Sequence, residues 1–266
     1  MDNRPIGVFD SGLGGLTSVQ ELHRQLPEEK VIYYGDTART PYGSKSPETI
    51  VKFATQIVDY LVSRDTKMIL IACNTVTALA LDSLRARYPE VPIIGVIGPT
   101  VRKVVSDGCK RVGVIATKAT IGSDVYGREL RLLDPEIKVS STACPAIVPL
   151  VEEGLTDTDI MELTIRHYMD DFVADGGFDD LILGCTHYPL VAKHIKKLYP
   201  ELRLYSSSAE VVSEARRLLT EKDMLASGSE FTDRYYASDM SDNFIAMTDM
   251  LFRDTDFKIR LVKLEE

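Results

Sequence analysis

The chain has 266 residues, 44% hydrophobic and 27% charged, with 31 Lys and Arg against 40 Asp and Glu for a formal net charge of −9. These proportions are ordinary for a soluble globular protein, and the length allows one large domain or two small ones. The acidic balance argues against nucleic acid as the main partner, because phosphate binding needs clustered Lys and Arg, and no run approaches the ~18–20 uninterrupted apolar residues of a transmembrane helix.

Short β-branched runs alternate with amphipathic stretches along the chain. Strands are expected at Ile6–Phe9, Val31–Tyr34, Met68–Ala72, Ile93–Val96, Arg111–Ala116, Ile137–Ser141, Leu181–Leu183 and Leu202–Tyr205. Between the second and third lies a helical pattern over Pro47–Arg64, with Ile50, Phe53, Ala54, Ile57, Val58, Leu61 and Val62 on one stripe. Ser46 is placed to cap it and Pro47 to open it. Strands as apolar as Met68–Ile71 suggest a parallel sheet covered on both faces, so strand–helix alternation gives an α/β doubly wound fold. After Ser208, the spacing of Val211, Val212, Ala215, Leu218 and Leu219 predicts a helix. A turn at Ser227–Ser229, a strand at Phe231–Ala237 and a helix near Asp242–Phe252 are expected to follow.

The chain also repeats itself. Met68–Thr75 and Asp180–His187 are the same device: an apolar strand, a small residue, Cys, then Thr or Asn. Each is followed by a helical pattern that ends at Tyr-Pro, at Tyr88-Pro89 and Tyr199-Pro200. The pattern from Ile6 to Ser11 likewise echoes Val112 to Thr117. Cys73 and Cys185 lie 112 residues apart, and Gly7 and Gly113 lie 106 apart. These matched landmarks indicate a duplicated α/β unit. The expected arrangement is residues 1–97 with 208–266 as one lobe and 98–207 as the other, related by a pseudo-twofold, with a cleft between them.

In open α/β sheets ligands bind beyond the carboxyl ends of the strands. The residues standing there are Asp10-Ser11, Asp36 with Pro41-Tyr42-Gly43, Cys73-Asn74-Thr75, Thr117 with Thr120, Cys144, and Cys185-Thr186-His187. Facing halves would set Cys73 and Cys185 on opposite walls of the cleft. Two facing thiols suit inversion of a carbon stereocentre, in which one group removes a proton from one face and another returns one to the other. A free thiol titrates at about 8.5, so an acid–base pair near neutral pH needs only modest tuning. Each Cys is expected to lead into a helix N-terminus that favours the thiolate and offers N–H groups to a carboxylate. Asp10 and His187 are placed to trade protons with the thiols.

Five segments carry a resemblance: Ile6-Gly-Val-Phe-Asp-Ser-Gly-Leu-Gly-Gly15; Gly35-Asp36 with Pro41-Tyr42-Gly43; Ala72-Cys-Asn-Thr75; Ala143-Cys-Pro145 with Val148-Pro-Leu-Val-Glu152; and Leu183-Gly-Cys-Thr-His-Tyr-Pro189. Together they closely resemble the glutamate racemases, from Ile6 to about Tyr205. The resemblance implies cofactor-independent interconversion of L- and D-glutamate for peptidoglycan. It implies Cys73 and Cys185 as the two bases, with Asp10, Glu152 and His187 as helpers. Substrate contacts are implied at Asp10, Ser11, Tyr42, Gly43, Asn74, Thr75, Thr186 and His187; Thr117 and Thr120 join them as strand-end candidates. No cofactor, metal, membrane or direct nucleic-acid partner is expected, and a homodimer is compatible with this reading.

Plainer readings stand beside this one. Cys109 and Cys144 read as small buried hydrophobes, and His23, His167 and His194 as surface or packing residues. Asp10 could cap the following helix, and Glu152 could be a solvated helix residue; only the resemblance selects Glu152. Rival functions are aspartate racemisation, a zinc enzyme using Cys73, Cys185, His187 and Asp10, a hydrolase with Cys185 as nucleophile, and a binding protein without catalysis. Asp10 falls before any long apolar run, so no secretion signal is expected. The four cysteines contain no C-x-x-C pair and are expected to be reduced thiols in the cytoplasm.

Overall fold

The computed structural model describes residues 1–228, 231–242, 245, 248 and 258–264. Its first part alternates β1 (Ile6–Asp10), α1 (Leu16–Gln25), β2 (Val31–Gly35), α2 (Pro47–Val62), β3 (Met68–Ile71), α3 (Asn74–Arg87), β4 (Ile93–Gly95) and α4 (Ile97–Ser106). The second part runs β5 (Arg111–Ala116), α5 (Lys118–Gly122), α6 (Val125–Leu133), β6 (Lys138–Ala143), α7 (Ile147–Glu152), α8 (Asp159–Gly176), β7 (Asp180–Gly184), α9 (Ala192–Leu198) and β8 (Arg203–Ser206). Then come α10 (Ser207–Glu221), β9 (Arg234–Ala237) and β10 (Ile259–Leu261).

Two separate sheets result, in the orders β10-β9-β2-β1-β3-β4 and β6-β5-β7-β8. Every strand pairing among the described residues is parallel. The order β2-β1-β3-β4 in one sheet is repeated as β6-β5-β7-β8 in the other, which is the arrangement a duplicated unit produces. The chain returns to the first sheet after β8, where β9 pairs with β2 and α10 packs on α1 and α4.

Local chemistry accounts for the elements. β1, β2, β3 and β7 are buried at every residue, because helices cover both faces of each sheet. Along β1 the side chains alternate: Ile6 and Val8 face the core shared with α1, α4 and α10, while Phe9 faces the core under α2 and α3. α2 begins where Ser46 Oγ accepts the Thr49 N–H at 3.3 Å and Pro47 occupies the first turn. Its Ile50, Ala54, Ile57, Val58 and Leu61 are fully buried.

The differences from expectation are local. α2 stops at Val62, two residues before Arg64, and the chain then passes through the left-handed region at Asp65. Strand ends shift by a residue or more, as at β6 (Lys138–Ala143) and β8 (Arg203–Ser206), and β9 starts three residues later than Phe231. β10 carries no apolar run long enough to announce it. Gly228 sits at φ +94, within the expected turn; Ser229 and most of the expected helix at Asp242–Phe252 lie outside the described residues. Among the described residues no helix is long and apolar enough to cross a membrane.

Candidate active site

The carboxyl ends of β1, β2, β3, β5 and β7 converge on one cavity of about 160 Å³. Cys73 follows β3 of the first sheet and Cys185 follows β7 of the second, and both thiols line that cavity. Ser11, Tyr42, Gly43, Asn74, Thr75, Thr117, Thr186 and His187 share the wall with them.

Asp10, Thr120 and Glu152 stand behind the wall. The Asp10 carboxylate is fully buried. Its Oδ2 accepts the N–H groups of Gly12 at 3.2 Å and Gly15 at 2.9 Å, and its Oδ1 accepts the Thr186 hydroxyl at 3.4 Å. It therefore organises the glycine turn, holds the N–H of Gly15 at the N-cap of α1, and reaches across to the second sheet. Thr120 donates its N–H to Thr117 Oγ1 at 3.3 Å, and the hydroxyls of Thr117 and Thr75 meet at 3.0 Å across the lobes. Tyr126 donates to Asn74 Oδ1 at 2.6 Å, a second crossing.

Each thiol has its own partner. Cys73 donates to Ser11 Oγ at 3.5 Å. Cys185 Sγ lies 3.8 Å from His187 Nδ1, whose other nitrogen, Nε2, lies 3.1 Å from Glu152 Oε1. Burial, then the nearby Asp10, pushes the Cys73 thiol up to about 12, well above the modest tuning expected of it. Burial also raises Asp10, opposed by the charge of His187 and by the backbone N–H groups. Burial alone would lower His187, but its bonds to Cys185 and Glu152 outweigh it and hold the imidazolium up at about 10.

A second expectation is corrected at Cys185. Cys73 does lead directly into α3. Cys185 instead leads through Thr186 and His187 into a short 3₁₀ turn at Tyr188–Val191, with Pro189 inside it, and α9 starts only at Ala192. Cys185 therefore does not itself open an α-helix, and His187 supplies positive charge beside it.

Pro41, a strand-end candidate, also lines the cavity, and sequence reasoning left out Thr40, Ser44, Lys118, Pro145, Val148 and Pro149, which line it too. Lys118 follows Thr117 directly after β5, so the strand-end rule pointed at it. Pro145, Val148 and Pro149 belong to the α7 region, whose apolar residues look like core in the sequence. Asp36 stays outside the cavity but is fully buried; it accepts from Arg39 Nε at 2.7 Å, Ser238 Oγ at 2.8 Å and the Tyr42 hydroxyl. It thus holds Tyr42 in the wall. Cys144 is fully buried, and Cys109 is buried beside Tyr205 Oη at 3.2 Å. His23 and His194 pair with surface carboxylates, and His167 packs on Tyr168. Among the described residues no three His, Cys, Asp or Glu side chains converge as a metal-ligand set.

Two parallel α/β lobes with a thiol from each on one cavity define the class. Residues 6–215 match the Asp/Glu/Hydantoin racemase family. The chain is 42% identical to a glutamate racemase of Geobacter metallireducens over 245 residues, 91% of this chain and 90% of that one. It is 45% identical to a glutamate racemase of Streptococcus pneumoniae over 222 residues, 82% and 83% of the two chains. It superposes on the crystal structure of the Francisella tularensis glutamate racemase, solved in complex with D-glutamate, with a TM-score of 0.93 at 39% identity, covering 100% of this chain and 99% of that one. The chain belongs to the Asp/Glu/Hydantoin racemase family.

Proposed function

We propose that this protein is a glutamate racemase that inverts the α-carbon with Cys73 and Cys185 and no cofactor. The observation that carries the reading is the pair of thiols, one from each sheet, on the wall of a single cavity. One thiolate takes the α-proton, and the electron pair passes into the carboxylate of the substrate. The opposite thiol then gives a proton to the other face of the carbon, and the two sulfurs have exchanged roles. The N–H groups opening α3 at Asn74 and Thr75 suit a substrate carboxylate. A protonated His187 beside Cys185 can hand that sulfur a proton or offset its charge; Asp10 orders the glycine turn and Thr186.

Taking residues 1–97 with 208–266 as one lobe and 98–207 as the other puts one thiol on each lobe, as a duplicated enzyme requires. The reading extends to a cytoplasmic enzyme supplying D-glutamate for peptidoglycan, with a homodimer as its assembly. Proton NMR of L- and of D-glutamate in D₂O with the purified protein tests the chemistry. Loss of the α-proton signal with appearance of the opposite enantiomer is expected without added cofactor. Binding without exchange, or exchange of aspartate but not glutamate, overturns the reading.

A further inference from the structure

The chain of polar groups behind Cys185 does not stop at His187. Glu152, at the end of α7, is 26% exposed along its side chain, whereas His187 is 3% exposed. Glu152 also lines a second cavity of about 70 Å³ together with Leu13, Thr37, Thr40 and Ser241. A water needs roughly 10–15 Å³ of such space and two to four polar partners. This cavity has room for several waters, with the Glu152 carboxylate and the Thr40 hydroxyl as acceptors; the Thr37 hydroxyl is already bonded to Asp239. Cys73 is built differently. Its partner is Ser11, and the neighbouring Asp10 is fully buried with its Oδ2 taken up by Gly12 and Gly15. No comparable chain leads away from Cys73 among the described residues: its partner Ser11 lines the main cavity, where the substrate of the proposed reaction would sit.

We propose that the cavity behind Glu152 is a solvent port for Cys185, so that this thiol exchanges protons with water while substrate is bound and Cys73 does not. The inference rests on the racemase reading above. The transfer balances as a relay. It starts from the protonated thiol beside a neutral His187 that carries its proton on Nε2. The Cys185 proton passes to Nδ1, the Nε2 proton passes to Glu152 Oε1, and the carboxyl group releases it to water in the port. Once product has left, the Nδ1 proton is released through the main cavity and Nε2 is reprotonated from Glu152, which restores the starting tautomer. The reverse sequence recharges the sulfur. Glu152 is a positioning and relay residue here, since it touches His187 and not the reacting carbon.

Racemisation itself cannot reveal the asymmetry. Its equilibrium constant is unity, so kcat/KM falls equally in both directions whatever is mutated. Elimination from glutamate carrying chlorine on Cβ needs only one base: the thiolate takes the α-proton, the C=C bond forms and chloride leaves. Each turnover then requires the thiol to shed that proton. With the two enantiomers of this analogue, Glu152→Ala is expected to lower kcat roughly 10²-fold for the enantiomer served by Cys185 and less than about 3-fold for the other. Formate, small enough for the space the truncation opens, restores the lost rate in proportion to its concentration. Glu152→Gln, which fills that space with a group that relays no proton, shows the same loss without rescue. Equal losses for both enantiomers, or no rescue of Glu152→Ala by formate, overturns the port. If the wild-type protein neither racemises glutamate nor eliminates chloride, the racemase reading itself has failed; if it does both and Glu152→Ala matches it, only the port has.

Discussion

Gly14, in the turn after β1, packs so closely on Thr186, after β7, that a Cβ at position 14 would sit 2.7 Å from the Thr186 carbonyl carbon. The glycine turn is thereby the surface on which the second lobe's Cys185–His187 segment rests. Gly43 repeats the relationship from the other side, where a Cβ would meet Thr117 Cβ at 2.7 Å. In both places one lobe's backbone fits against a threonine of the other lobe that lines the cavity.

Gly14→Ala should therefore push Thr186 and its neighbours Cys185 and His187 off their positions. Overpacking of this kind costs typically 1–3 kcal/mol, and misplaced catalytic groups lose rate steeply, by about 10²-fold for a displacement near 1 Å. The expected outcome is a lowered melting temperature together with a loss of turnover at least that large. Thermal melts and racemisation rates check it; a variant with wild-type turnover shows that the lobes can separate at this contact without harm.

The titration of Cys73 gives a second test. Its thiol is pushed up to about 12 by burial and by Asp10, so the reactive thiolate is a minor species at neutral pH in the empty site. Alkylation of Cys73 by iodoacetamide, followed by peptide mass spectrometry in a Cys185→Ser background, should accelerate about tenfold per pH unit through pH 10. Asp10→Asn removes the negative neighbour and should raise the rate at any given pH. A plateau near pH 8 contradicts this environment for the sulfur.

How much of this was legible beforehand follows from the period of the signals. The strands announced themselves because buried parallel strands are continuous apolar runs, and Ser46-Pro47 marked the start of α2 by cap chemistry. The two thiols were legible because Met68–Thr75 and Asp180–His187 share a pattern. The role of Asp36 was not, since Arg39 and Tyr42 fold back on it through the turns after β2 and its third partner, Ser238, is brought to it by the pairing of β9 with β2. That contact spans some two hundred residues of chain and leaves no local trace. The 3₁₀ turn after Cys185 was missed for the opposite reason: the repeat suggested a helix like α3, and Pro189 was read only as part of a motif.

His187 links the site to stability. Its imidazolium is held at about 10 in the fold, above the ~6.5 of an unfolded histidine. The stabilisation from its charged form is fully present below pH ~6.5 and is lost as pH rises through about 10. The stability difference between wild type and His187→Asn should accordingly shrink across that window. Urea unfolding at several pH values measures it, and a difference that is flat or grows with pH contradicts the charged assignment.

A buried ion pair away from the site gives a prediction of a different kind. Lys67 Nζ lies 2.6 Å from Glu29 Oε2 with both side chains at 2% exposure or less. The ammonium also donates to the carbonyls of Asp2 and Met224, and Glu29 Oε1 accepts the Ala226 N–H. The pair thus ties the start of the chain to the segment after α10. Lys67→Met strands a carboxylate in the interior and should cost about 3–5 kcal/mol. Lys67→Met with Glu29→Gln removes the stranded charge and should recover part of that. Denaturant titration decides; a single variant within about 1 kcal/mol of wild type would mean that water reaches Glu29.

The division of labour between the thiols is the most demanding consequence of the proposed mechanism. Each sulfur comes from a different sheet, so each serves one face of the α-carbon. A serine hydroxyl is smaller than a thiol and far less acidic, so Cys73→Ser and Cys185→Ser leave the pocket in place while removing one proton carrier. Both variants should still bind glutamate through Asn74, Thr75 and Thr186, because none of those groups is touched. Both should lose racemisation, which requires one removal and one return. Elimination from β-chloroglutamate requires only removal, so each variant should keep it for one enantiomer and lose it for the other, and the two variants should show opposite preferences. The resemblance to the glutamate racemases gives Cys185 to the L enantiomer and Cys73 to the D enantiomer. Chloride release from each enantiomer by each variant fills in all four rates. Equal damage to both enantiomers in either variant, or normal racemisation by one of them, shows that a single base, and not a facing pair, moves the proton.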